Sequence, residues 1–75
     1  MSAIDRIEIN PKVCNGKPVI KGTRITVEQI LKKLSAGESV KDILQAYPHI
    51  TKADVMAAID YAASVISNEE MIEGK

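Results

Sequence analysis

The spacing of apolar positions changes near residue 26. Before it the period is two. Arg6-Ile7-Glu8-Ile9 alternates as a short half-buried strand does, and Asn10-Pro11 closes it. Val13-Cys14-Asn15-Gly16-Lys17-Pro18-Val19-Ile20 follows. Asn-Gly between apolar residues signals a hairpin, because both central turn residues take positive φ. Pro18 lacks the N–H that a ladder needs, which points to an edge strand. Gly22 supplies another turn before Thr23-Arg24-Ile25. A lone hairpin is marginal in water, so this strand material is expected to lean on helices or pair with a second copy.

From Thr26 the spacing becomes helical, with three start signals. In Thr26-Val27-Glu28-Gln29, the hydroxyl can accept from the Gln29 amide while Gln29 reaches back. Val27, Ile30, Leu31 and Leu34 form one stripe, and Gly37 is placed to end the helix in a left-handed conformation. Ser39-Val40-Lys41-Asp42 opens a second helix over roughly 39–46, with Val40, Ile43 and Leu44 inward and Pro48 as its stop. Thr51-Lys52-Ala53-Asp54 opens the longest helix, with Val55, Ala58, Ile59, Ala62 and Ile66 expected inside. Asp42 and Asp54 fall in first turns, where negative charge offsets the helix dipole. A short helix, a tight connection and a longer helix give a helix-turn-helix-like layout. The expected fold is therefore mainly α, a three-helix bundle behind a short N-terminal β-hairpin. It reads as one domain over 1–75: strand material about 5–25, helices 26–66 and an acidic tail 67–75, which either extends the last helix or frays.

Composition narrows this picture. A chain of 75 residues without Trp or Phe has only Tyr47 and Tyr61 as aromatics, so its core is aliphatic and thin. Chains of this size bury only about 60% of their unfolded surface, which makes a second copy or a partner protein a natural expectation. A single cysteine, Cys14, forms neither an internal disulfide nor a cysteine zinc site and fits a reducing, cytoplasmic compartment. Met1 to Arg6 does not read as a signal peptide, and no apolar run approaches the roughly 20 residues of a membrane span. The formal net charge is zero, but residues 1–33 hold seven Lys and Arg against three acids, and residues 34–75 hold three Lys against seven. Such asymmetry fits either a basic face with an anionic partner or a dipolar surface that pairs two subunits.

Three stretches carry a resemblance. They are Gly16-Lys17-Pro18-Val19-Ile20-Lys21-Gly22-Thr23-Arg24-Ile25-Thr26-Val27, then Gly37-Glu38-Ser39, then Tyr47-Pro48-His49-Ile50-Thr51 running into Asp54-Val55 and Ala58-Ile59-Asp60-Tyr61-Ala62. Together they resemble the DUF433 family of small prokaryotic proteins, similar to VapB-type antitoxins, over about residues 5–63. The resemblance implies a homeodomain-like helical core. It also implies an antitoxin-like role, as the partner of a small PIN-like ribonuclease toxin. The leading reading is then a homodimer, formed through the N-terminal strand material, that binds such a toxin by the N-terminal hairpin and the acidic C-terminal segment, with DNA-binding autorepression as a further option. The rival readings are a stand-alone DNA-binding regulator and a dimeric interaction module with no nucleic-acid role.

The candidate contact residues for nucleic acid or a partner are Arg6, Lys17, Lys21, Arg24, Lys32, Lys33 and Lys52. All of them are also compatible with ordinary solvated surface. Arg24 serves either an anion, through its planar fork, or a structural ion pair with Glu28 or an acid on the third helix. The outward early positions of that helix, Lys52, Ala53, Met56, Ala57 and Asp60, offer one cation and make a poor base reader. Two basic ribbons of a dimer, carrying Arg6, Lys12, Lys17, Lys21 and Arg24, would fit a major groove better. Acidic residues Glu69, Glu70 and Glu73 suggest a tail able to mimic RNA phosphates in a basic nuclease groove. No catalytic residue, cofactor or metal is expected. His49 lies in a turn far in sequence from Cys14, no phosphate-binding glycine loop occurs, and a chain this short has little room for a pocket.

Overall fold

The structure, a computed structural model, describes residues 3–73, with side chains over 5–67. A 3-10 turn over Ala3–Arg6 leads into β1 (Ile7–Glu8), and β2 (Val19–Ile20) pairs antiparallel with it, Ile7 opposite Ile20 and Glu8 opposite Val19. Three helices follow: α1 (Val27–Ser35), α2 (Val40–Ala46) and α3 (Lys52–Glu73). The chain is thus mainly helical with a small N-terminal sheet, as the spacing predicts.

The sheet departs from expectation in two respects. Asn15 and Gly16 do take positive φ, 59° and 82°, but they sit in a 3-10 turn inside the ten-residue connection between the strands. Val13-Cys14 is therefore no strand. β2 is also not an edge. On its second side the Ile20 amide donates to the Ile25 carbonyl at 2.9 Å, and the Val27 amide donates to the Pro18 carbonyl at 3.0 Å. Pro18 is tolerated because it precedes the strand and contributes only its acceptor. The reversal from β2 to this third segment turns on Gly22, at φ 82°, and is closed by the Thr23 amide and hydroxyl, both donating to the Ile20 carbonyl.

Each helix begins as its sequence dictates. Thr26 with Gln29, Ser39 with Asp42, and Thr51 with Asp54 form reciprocal capping pairs, satisfying amides that no helical carbonyl can reach. α1 ends at Gly37, φ 93°, where the Gly37 amide donates to the Leu34 carbonyl and the Glu38 amide to the Lys33 carbonyl. That doubly bonded stop requires a left-handed residue.

The core is aliphatic. Ile7 and Ile20 from the sheet meet Ile30, Ile43, Ile50, Val55 and Ala58, and Leu31, Leu34, Val40 and Leu44 pack half-buried around them. α3 needs a correction. Val55 and Ala58 are inside as expected and Ala62 is half-buried, but Ile59 and Ile66 are 36% and 56% exposed, while Ala57 is buried and not outward. Apolar residues occur on nearly every side of this helix, so spacing alone cannot choose its inner face. Asp54, Val55, Ala58 and Tyr61 set the true one, against the N-terminal turn and α1.

Candidate functional site

The seven candidate basic residues separate into two groups. Arg6 donates to Asp54 Oδ1 at 3.0 Å and ties the N-terminal turn to the start of α3. Lys17 and Lys32 approach the two carboxylate oxygens of Glu28 at 3.2 and 3.8 Å. Lys33 pairs with Glu38 at 3.7 Å and lies over the Tyr47 ring, 5.5 Å from its centroid. These four hold the fold's own surface together. Lys21, Arg24 and Lys52 are exposed and have no acid within 4.0 Å among the described residues. Among the described residues the structural ion pair considered for Arg24 is therefore absent: Glu28 lies beside two lysines and Asp54 beside Arg6.

Arg24 stands at a cleft of about 610 Å³, open to solvent and lined by Glu8, Gly22, Thr23, Ile25, Gln29, Tyr47 and His49 as well. The expectation that so short a chain lacks room for a pocket fails here, because the fold leaves an open cleft between two loops instead of enclosing a cavity. Backbone turns position each wall. Thr23 Oγ1 accepts from the Ile25 amide and fixes the loop that presents Arg24, and the Tyr47 carbonyl accepts from the Ile50 amide across the turn that presents His49. Two stretches that stand far apart in the sequence, Gly22–Ile25 and Tyr47–His49, thereby form one surface. Arg24 offers a planar fork of donors, Glu8 an acceptor, and Tyr47 and Ile25 apolar area. Cys14 is elsewhere: its Sγ donates to the Arg24 carbonyl at 3.5 Å, and no hydrogen bond joins it to His49 among the described residues.

The other surface of note is on α3. Its outward side shows Ala53, Met56 and Ile59 beside Lys52 and Asp60, so the face that a helix-turn-helix would offer to DNA is mostly apolar, with one cation and one acid. Further along, Val65 and Ile66 border an apolar groove against Pro18, Val27 and Leu31. The side chains of Glu69, Glu70 and Glu73, proposed as an RNA mimic, lie outside the described residues, while the helix backbone continues through Glu73.

Two carboxyl groups are held below their ordinary pKa. The Lys17 hydrogen bond, reinforced by the charges of Lys17 and Lys32, lowers Glu28. The Ser39 backbone amide and then its side chain lower Asp42. Both shifts arise from contacts that support local structure. No group of three or more His, Cys, Asp or Glu able to hold a metal occurs among the described residues, and no helix there is long and apolar enough to cross a membrane.

The sequence and fold are similar to those of known proteins. The chain is 30% identical to a DUF433 member protein from Anabaena variabilis ATCC 29413, whose crystal structure superposes with a TM-score of 0.78 over 93% of this chain and 69% of that one. It is also 31% identical over 61 residues to the uncharacterized protein y4eO of Sinorhizobium fredii (strain NBRC 101917 / NGR234). That match takes in 81% of this chain but only 28% of the relative's length, so the fold described here corresponds to a fraction of that longer protein. The profile of the family described as "Protein of unknown function (DUF433)" covers residues 7–62, and with both walls of the Arg24 cleft inside that span, the chain belongs to the DUF433 family.

Proposed function

We propose that this protein is a cytoplasmic, non-catalytic regulator of the antitoxin type, which uses the Arg24 cleft to hold a partner protein, a small PIN-like ribonuclease. The observation that carries the reading is the guanidinium of Arg24, which has no acid within 4.0 Å among the described residues, at a cleft built from two motif stretches, while four other cations are engaged by three carboxylates within the chain. A bidentate carboxylate of the partner matches that fork, with Tyr47 and Ile25 supplying apolar area beside it. A homodimer is part of this reading. The apolar outward side of α3 favours a protein partner over direct reading of base edges, which needs Arg, Lys, Asn or Gln at those positions.

The test is inhibition of a PIN-like ribonuclease encoded beside the gene. Arg24→Ala, alone and with Lys21→Ala, is expected to weaken inhibition at least about tenfold with the fold intact, since a charge-assisted bidentate contact is worth more than 1.4 kcal/mol. Full inhibition by the double variant refutes the reading. Gel-shift titration against upstream DNA at several salt concentrations tests the DNA-binding alternative. A salt-sensitive shift by the chain alone, lost in the double variant, would favour it instead.

A further inference from the structure

The cleft at Arg24 carries a charge of each sign. Glu8 lines it from β1, half-buried, in the same space of about 610 Å³. Side chains alternate along a strand, so Glu8 faces away from the core that its neighbour Ile7 joins. Its carboxylate has no cation within 4.0 Å among the described residues, just as Arg24 has no acid. Elsewhere on the chain Arg6, Lys17 and Lys33 each meet a carboxylate at 3.0 to 3.7 Å. Opposite charges thus share one cleft without pairing.

Backbone placement accounts for the separation. β2 runs between β1 and the segment that carries Arg24. Glu8 stands opposite Val19 on one side of it, and on the other the Ile20 amide donates to the Ile25 carbonyl. Two strand spacings hold those flanking backbones about 10 Å apart. Thr23 ties the Arg24 loop to β2, its hydroxyl accepting from the Ile25 amide and donating to the Ile20 carbonyl.

This spacing selects what can enter. A partner segment that brought only a carboxylate to Arg24 would also cover Glu8. It would strip water from that group and set a like charge near it, and both effects oppose binding. A segment with only a cation would leave Arg24 in the same position. One charge of each sign satisfies both groups, while the apolar parts of the segment rest on Val13, Ile25 and Tyr47 in the same cleft.

We infer that Glu8 is a specificity residue of this cleft: the segment it accepts carries a carboxylate for Arg24 and a lysine or arginine for Glu8, and a purely acidic segment is rejected. The inference deepens the proposed function and rests on it for the existence of a protein partner. Calorimetric titration of the full chain with the PIN-like ribonuclease encoded beside the gene tests it. Glu8→Gln keeps the size of the side chain and removes its charge. It is expected to weaken binding at least about tenfold, with helical circular dichroism unchanged. Glu8→Lys is expected to abolish binding, and one lysine-to-glutamate or arginine-to-glutamate replacement on the nuclease to restore it to within about tenfold of wild type. That rescue separates a charge contact from loss of fold. Binding unchanged or tightened by Glu8→Gln overturns the inference, since Glu8 would then stand idle or compete for Arg24. Failure of every such replacement to rescue Glu8→Lys overturns it too. If Arg24→Ala weakens binding and Glu8→Gln does not, the inference falls and the partner reading stands. A nuclease that does not bind the wild type removes the partner reading, and the inference with it.

Discussion

The two halves of α3 share a backbone conformation and little else. In the first half Val55 and Ala58 are fully buried, and Asp54 is bound both to Arg6 and to the Thr51 amide. In the second half Val65 is 39% exposed, and every described side chain after Ala62 faces solvent. Tertiary packing therefore encloses the embedded half, while the second half only borders a groove against α1 through Val65 and Ile66. Apolar residues before Tyr61 divide between core (Val55, Ala57, Ala58) and exposed surface (Met56, Ile59), whereas after Ala62 the described ones, Ala63, Val65 and Ile66, are all exposed.

Substitutions can break this contrast or sharpen it. The largest effect is expected from Ile30→Ala, in the core cluster that holds the embedded half; chemical denaturation should show a loss of about 2–5 kcal/mol. Arg6→Ala should cost about 1–2 kcal/mol by the same measurement, since it removes a charge-assisted hydrogen bond from a carboxylate that is only 14% exposed. A smaller effect concerns the start of α2, where no distant partner supplements the cap. Because the folded state lowers the Asp42 pKa, its stabilisation is complete above the ordinary carboxylate range near pH 4 and fades as pH falls through the lower folded value. Asp42→Asn should flatten that part of a stability–pH curve, whereas an unchanged slope would assign the acid sensitivity to other carboxylates. The smallest effect is expected from Val65→Ala: measured on dilute protein, its stability should lie within about 0.5 kcal/mol of wild type. A loss approaching that of Ile30→Ala would erase the distinction between the halves.

What the sequence discloses follows the range of the interaction. The capping pairs Thr26 with Gln29, Ser39 with Asp42 and Thr51 with Asp54 each span three residues, and all three form where the spacing places them. Gly37 likewise acts within one turn of its own helix. The positive φ of Asn15 and Gly16 was legible as backbone chemistry, but the strands they would join were not, because Val19 and Ile20 choose partners a dozen residues upstream. The inner face of α3 was hidden for a related reason: an alanine-rich helix with aliphatic residues on most sides carries no single stripe, and the N-terminal turn and α1 decide which side is covered. The candidate cations could be enumerated from composition. Only the folded structure separates Arg24, without an acid within 4.0 Å among the described residues, from Arg6, whose acid is 48 residues away. The cleft itself, joining Gly22–Ile25 to Tyr47–His49, had no sequence signal beyond the presence of both stretches in one family pattern.

The double engagement of Asp54 has a kinetic consequence. One carboxylate oxygen holds the start of α3 and the other holds Arg6, whose carbonyl in turn accepts from the Lys21 amide at 2.8 Å. The N-terminal turn cannot swing away without loosening both the sheet margin and the first turn of the long helix. These segments, remote in the chain, are therefore expected to open together as one cooperative unit, their amide protons sharing one opening free energy in hydrogen exchange.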